Sequence, residues 1–176
     1  KSKWIIVGKR ANKISITQKF IGKILVNYSL KGLSVVRLKG GDPSIFARIS
    51  EEILALKKVG IPFEIIPGVT AASTAAANLG ISLSKRNLSR SISFVTPATS
   101  RNSTIDNGWI NTVFSSDTSV IYMAGNDRKK IAELLISKGM DPSCPIAVVE
   151  NAGFKEGYKK ITLLSELANS KIFKLQ

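Results

Sequence analysis

The segment at residues 35–43 holds the residue types best suited to binding a small ligand. An apolar stretch with two basic residues, Val-Val-Arg-Leu-Lys, runs into Gly40 and Gly41 and then into Asp42 and Pro43. Glycines let a ligand approach the backbone closely, and Asp42 followed by Pro43 is typical of the start of a helix. Because open α/β sheets bind ligands just beyond the carboxyl ends of their strands, the pattern predicts a ligand-binding loop. The same pattern is also typical of a strand-to-helix turn that binds nothing.

The composition excludes several classes of catalytic site. The 176-residue chain has no histidine and a single cysteine, Cys144, which excludes Ser-His-Asp and Cys-His catalysis, an internal disulfide and a His-Glu zinc motif. We therefore expect no metal. No apolar run reaches the roughly 20 residues of a membrane span, and no segment is typical of a secretory signal. A soluble, cytoplasmic protein without a membrane partner is expected.

The charge is strongly basic and unevenly distributed. The net charge is +14, and residues 1–41 hold ten basic side chains and no acidic one. Such a surface attracts polyanions, whether nucleic acid, an anionic membrane or a small polycarboxylate. A lysine-rich, merely solvated surface is the alternative interpretation.

Strand and helix patterns alternate along the chain. The pattern predicts strands at residues 4–7, 33–38, 63–66, 91–96, 118–123, 146–149 and 160–163, and helices at 17–30, 49–59, from Thr70 onward, 127–138 and 164–169. In the second helix, Ile53, Leu54 and Leu56 are predicted to face inward. From residue 4 to the helix that follows Thr70, alternation at this spacing favours a parallel sheet with helical crossovers. The polar segment predicts a boundary, giving an α/β subdomain at 1–97, a linker or surface excursion at 98–117 and a second α/β subdomain at 118–176.

Taken in order, the motifs resemble the tetrapyrrole methylase family, and within it the uroporphyrinogen-III C-methyltransferases. The matching segments are Val-Gly-Lys-Arg-Ala at 7–11, Val-Arg-Leu-Lys-Gly-Gly-Asp-Pro-Ser-Ile-Phe at 36–46, Gly-Ile-Pro-Phe at 60–63, Pro-Gly-Val-Thr-Ala-Ala-Ser at 67–73, Tyr-Met at 122–123 and Val-Glu-Asn at 149–151. They cover nearly the whole chain, which makes the resemblance far more specific than any single motif.

The resemblance implies a fold, a reaction and a set of site residues. The fold is α/β, with two subdomains and an S-adenosylmethionine cleft between them. The reaction is methylation of uroporphyrinogen III to precorrin-2, for sirohaem or cobalamin, by a homodimer without nucleic acid. The implied proton donor is Lys9. The implied cofactor-binding residues are Gly40, Gly41, Asp42, Ile45, Thr70, Ala71, Met123 and Ala152. The implied substrate-binding residues are Arg37, Lys39 and Lys85.

The chain also departs from the family pattern. By the resemblance it lacks the family's first strand, with its Gly-x-Gly-Pro-Gly-Asp loop, and its final strands. Ala47, Ala124 and Ala152 stand where glycines are usual, and at a left-handed backbone position each would cost roughly 1 kcal/mol. Two alternatives therefore stay open. One is a non-catalytic domain of the same fold, and the other is a ribosomal RNA ribose methyltransferase of the same fold.

Overall fold

The computed structural model describes residues 2–7, 16–97, 108–125 and 127–169. The chain divides into two compact units, Lys1–Thr70 (unit 1) and Ala71–Gln176 (unit 2). This division differs from the predicted subdomains, because the predicted boundary after residue 97 falls inside unit 2.

Unit 1 is built on two packed helices, α1 (Gln18–Leu30) and α2 (Ile49–Lys57). The Thr17 side chain accepts a hydrogen bond from the Phe20 N–H at 3.3 Å, which caps α1 at the predicted position. The helices approach closely at Gly22, where an added Cβ would lie 3.0 Å from the Ala55 Cβ. The sequence therefore places a glycine where the two helices meet.

The inner face of α2 differs from the predicted one. Leu54, predicted to face inward, is 55% exposed, whereas Glu52 is 4% exposed. Ile49, Glu52 and Leu56 follow i, i+3, i+7 spacing, so one helix face carries the acid toward the interior. Hydrophobicity alone therefore does not identify the inner face of α2; the position of each residue around the helix does.

The sequence predicted three strands in unit 1, and this prediction is wrong for all three segments, at residues 4–7, 33–38 and 63–66. Within the described part of the chain these segments belong to no strand ladder. Apolar side chains on them are solvent-exposed, such as Trp4 at 78%, Val36 at 77% and Ile66 at 67%. An apolar run favours extended backbone, but a strand also needs a neighbour's backbone groups at the right register, which local pattern does not encode.

Unit 2 contains four strands and four helices within its described residues. In chain order these are α3 (Ala71–Leu79), β1 (Ile92–Val95), α4 (Gly108–Ser115), β2 (Thr118–Ile121), α5 (Arg128–Ser137), β3 (Pro145–Glu150), β4 (Tyr158–Leu163) and α6 (Leu164–Asn169). Strands β1 and β2 pair in parallel, with Ile92 opposite Thr118. Strands β3 and β4 form an antiparallel pair, with Glu150 opposite Tyr158.

Helix α4 lies in the second half of the segment at 98–117 that was predicted as a linker or surface excursion. Trp109, Ile110 and Val113 on this helix are buried in the core of unit 2. That core also contains the completely buried Ala132 and the 2%-exposed Leu164. The polar residues around α4 concealed three apolar residues at i, i+1 and i+4, which form one helix face. Residues 98–107 lie outside the described part of the chain.

The helices in the described ranges are all too short or too polar to cross a bilayer.

Candidate functional site

Asp42 holds a loop together in unit 1. One carboxylate oxygen, Oδ1, accepts hydrogen bonds from the Ser44 N–H at 2.8 Å and from the Ser44 hydroxyl, and Oδ2 accepts from the Gly68 N–H at 3.0 Å. These bonds, that from the Ser44 hydroxyl first, hold the pKa of Asp42 below its ordinary value. The prediction that Asp42 caps a helix is wrong, because α2 begins only at Ile49 and turns fill the interval.

The Asp42 bond to Gly68 joins two backbone segments that lie almost in contact. An added Cβ at Gly68 would lie 2.7 Å from the Gly41 carbonyl oxygen, and one at Gly41, whose φ is +126°, would lie 3.4 Å from the Val69 oxygen. At Gly40, in contrast, an added Cβ meets nothing within 4 Å. Residues 40–42 and 67–69 therefore form one structure, here called the glycine clamp, with bare backbone at Gly40. Ile45 and Thr70, also predicted to bind cofactor, are half-buried.

The predicted substrate-binding residues Arg37 and Lys39 both contact Glu52. Arg37 Nε lies 3.3 Å from Glu52 Oε1, and Lys39 Nζ lies 2.9 Å from Glu52 Oε2. Lys39 also donates to the Ala47 carbonyl at 2.7 Å, and the Gln18 amide donates to Glu52 Oε1 at 2.8 Å. This network borders a cavity of about 230 Å³, which is lined by Val7, Gln18, Arg37, Lys39, Phe46, Ala47 and Arg48. The structure thus gathers a basic pocket in unit 1.

The alanines that replace the family's glycines do not themselves carry left-handed backbone. Positive φ occurs instead one residue earlier, at Phe46 (50°), Met123 (57°) and Asn151 (50°), and Arg48 has a φ of 55°. The penalty considered for Ala47, Ala124 and Ala152 therefore does not apply to their φ angles. Bulky residues in this conformation are unusual and are found at functional sites.

In unit 2, the segments that carry the predicted cofactor residues Met123 and Ala152 each contact helix α3, which begins at the third one, Ala71. The N–H of Ala72, in the first turn of α3, donates to the Tyr122 hydroxyl at 3.2 Å, next to the 60%-exposed Met123. An added Cβ at Gly153, beside Ala152, would lie 3.0 Å from the Thr74 methyl group.

The other two predicted site residues are not placed in either group. Lys85 is exposed in a separate turn of unit 2, where its N–H donates to the Ser89 carbonyl at 2.9 Å. Lys9 lies outside the described residues. Over the described ranges, no three side chains of Cys, Asp and Glu cluster as a metal site would require.

Some residues of this arrangement were missed from the sequence. Glu52 and Ser44 were not predicted, although the helical spacing of Glu52 with Ile49 and Leu56 was available as a signal. Tyr122 was noticed only as part of a motif. Its bond to the backbone of α3 spans 50 residues of sequence, and no local pattern encodes such a contact.

Comparison with known proteins identifies the family. The family model described as Tetrapyrrole (Corrin/Porphyrin) Methylases matches residues 5–168. The chain belongs to the tetrapyrrole methylase family. Siroheme synthase 2 of Cronobacter sakazakii is 42% identical over 147 residues, which are 84% of this chain and 32% of that protein. The chain thus spans about a third of the length of the curated relatives it matches.

Solved structures agree with this assignment. Uroporphyrin-III C-methyl transferase from Thermus thermophilus, complexed with S-adenyl homocysteine, has a TM-score of 0.77 and 31% identity, covering 90% of this chain and 69% of that one. A cobalt precorrin-4 methyltransferase reaches the same TM-score at 24% identity, which shows the fold alone. The predicted α/β fold of tetrapyrrole methylases is confirmed.

Proposed function

We propose that the protein catalyses S-adenosylmethionine-dependent C-methylation of uroporphyrinogen III to precorrin-2, in sirohaem or cobalamin biosynthesis. The observation that carries the proposal is the glycine clamp, a closely packed loop held by Asp42 in a member of the tetrapyrrole methylase family. The names of its siroheme synthase and uroporphyrin-III C-methyl transferase relatives support this reaction.

The residues of the clamp suit the methyl donor. The unobstructed space at Gly40 gives a ligand access to bare backbone, and the 67%-exposed Val69 offers an apolar surface beside Gly41. The resemblance assigns the binding of S-adenosylmethionine to Gly40, Gly41, Asp42, Ile45, Thr70, Ala71, Met123 and Ala152. When bound, the sulfonium supplies an electrophilic methyl group for a ring carbon.

The basic pocket suits the other substrate. Uroporphyrinogen III is a polycarboxylate, and guanidinium groups bind carboxylates through paired hydrogen bonds. Arg37, Lys39 and Arg48 line the pocket; the first two pair with the buried carboxylate of Glu52, and Arg48 pairs with the exposed carboxylate of Glu51. The resemblance also assigns substrate binding to Lys85 and proton exchange with the tetrapyrrole to Lys9.

The test is methyl transfer under oxygen-free, reducing conditions. The protein is incubated with S-adenosylmethionine and uroporphyrinogen III, and mass spectrometry follows mono- and dimethylated tetrapyrrole. Methylated product is expected, with less product from Asp42→Ala and unchanged product from the exposed control Glu133→Gln. A folded protein that binds S-adenosylhomocysteine but methylates no tetrapyrrole would contradict the proposal. We also expect a homodimer. Light scattering of the protein as it leaves a size-exclusion column would measure its mass.

A further inference from the structure

Glu52 is the only charged side chain that is buried in the described part of the chain. Its side chain is 5% exposed, that of Lys39 is 10% exposed and that of Arg37 is 28% exposed. Removing a carboxylate from water is costly unless its oxygens are hydrogen-bonded and paired with charge. Glu52 meets this condition through three side chains, Gln18 and Arg37 on Oε1 and Lys39 on Oε2.

The network fixes two cations at the edge of the basic pocket. The Arg37 guanidinium is held at two points, by Glu52 through Nε and by the Leu38 carbonyl through Nη1. Lys39 is also held at two points, by Glu52 and by the Ala47 carbonyl. Within the described ranges no hydrogen bond engages Arg37 Nη2, which leaves its donors for a ligand. Two cations against one carboxylate also leave one positive charge uncompensated.

We infer that Glu52 is a positioning residue that orients Arg37 and Lys39 toward a carboxylate of the tetrapyrrole. This inference rests on the proposed function and deepens it, because it explains how a buried acid assists the binding of an acidic substrate. Long basic side chains lose considerable rotamer freedom when a ligand immobilises them. Glu52 imposes this order before the ligand arrives, so binding no longer bears that entropic cost.

The inference predicts a sign opposite to that of simple electrostatics. Glu52→Gln removes one negative charge from the pocket, and Coulomb attraction alone would then tighten the binding of a polyanion. If Glu52 acts by positioning, the same change weakens binding, because the amide cannot accept hydrogen bonds from Arg37 and Lys39 on both of its terminal atoms. The direction of the change in affinity therefore separates the two explanations.

The experiment measures two dissociation constants by calorimetry, for uroporphyrin III as a stable polycarboxylate probe and for S-adenosylhomocysteine. The proteins are the wild type, Glu52→Gln, Glu52→Asp and the exposed-acid control Glu133→Gln. For Glu52→Gln we expect the uroporphyrin Kd to rise about ten-fold and the S-adenosylhomocysteine Kd to stay within about two-fold. Glu52→Asp should recover part of the loss, and Glu133→Gln should match the wild type.

Three results would overturn the inference. Unchanged or tighter uroporphyrin binding by Glu52→Gln would refute positioning while leaving the proposed function intact. Equal weakening of both ligands, together with a lowered Tm, would show a merely structural role. No binding of uroporphyrin by the wild type, combined with no methylation of uroporphyrinogen, would refute the proposed function and this inference with it. If Glu52→Gln does not fold, Gln18→Leu decides the matter, since it loosens Glu52 without changing any charge and should weaken uroporphyrin binding alone.

Discussion

Gly68→Ala tests the glycine clamp most directly. The added Cβ would lie 2.7 Å from the Gly41 oxygen, 3.1 Å from the Gly41 carbonyl carbon and 3.3 Å from the Asp42 Cα, all of which are backbone atoms. Relief to an ordinary contact of 3.4 Å requires a displacement of 0.7 Å, the difference between 3.4 and 2.7 Å. A displacement of that size is enough to weaken or break the 3.0 Å bond from the Gly68 N–H to Asp42.

The expected cost is that of overpacking, about 1–3 kcal/mol, which lowers the Tm of a protein this size by roughly 2–12 °C. Because the displaced backbone includes Gly41, the affinity for S-adenosylhomocysteine should fall at least about ten-fold. Scanning calorimetry measures the Tm, and titration calorimetry measures the affinity for S-adenosylhomocysteine. Gly40→Ala is the matched control for stability, since its Cβ meets nothing within 4 Å and its φ is not positive. Equal Tm values for the two variants would refute the reasoning.

Three further predictions concern the pH dependence, the core and a strained residue. Since the pKa of Asp42 is lower when folded, its bonds stabilise the loop above about pH 4, and this contribution is lost as the pH falls through the folded pKa. Asp42→Asn should therefore lose less stability in urea unfolding between about pH 6 and pH 3 than the wild type, and parallel losses would contradict this. Leu164→Ala, at a 2%-exposed core position, should cost about 2–5 kcal/mol in urea unfolding, whereas the 41%-exposed neighbour Leu163→Ala should cost clearly less. Met123→Gly should leave the Tm nearly unchanged, because relief of the positive φ offsets the entropy of glycine, and a Tm drop as large as that of Leu164→Ala would contradict it.

The sequence predicted most helices well because caps and apolar spacing are local signals. The predicted helix over 164–169 matches α6, and Thr17 caps α1. The alternation of strand and helix predicted a parallel sheet for the strands before residue 78, whereas the parallel pair in the described part of the chain is β1 with β2. Where the predictions failed, the deciding interactions were distant in sequence or hidden in polar surroundings. Helix α4 was missed because its three buried apolar residues stand among many polar ones. The strands predicted in unit 1 were wrong because local sequence does not show which segments pair with one another.

The sequence predicted which residues belong to the candidate site better than it predicted which of them contact one another. The Gly-Gly-Asp motif indicated a ligand loop, but the bond from Gly68 to Asp42 crosses 26 residues and gives Asp42 a different role from the predicted helix cap. Arg37 and Lys39 were expected to bind an acidic substrate. The sequence could not reveal that an interior acid already orders both of them, since that depends on which face of α2 is turned inward.

The two tryptophans lie in different units and in opposite environments. Trp4, in unit 1, is 78% exposed, whereas Trp109, in unit 2, is 9% exposed within the core. An exposed indole fluoresces at longer wavelength than a buried one, so each unit carries its own spectral reporter. Single-tryptophan variants, Trp4→Phe and Trp109→Phe, would follow each unit separately during denaturation. Coincident transitions at the two reporters would show that the units unfold as one cooperative body, and separate transitions would show that each has a stability of its own.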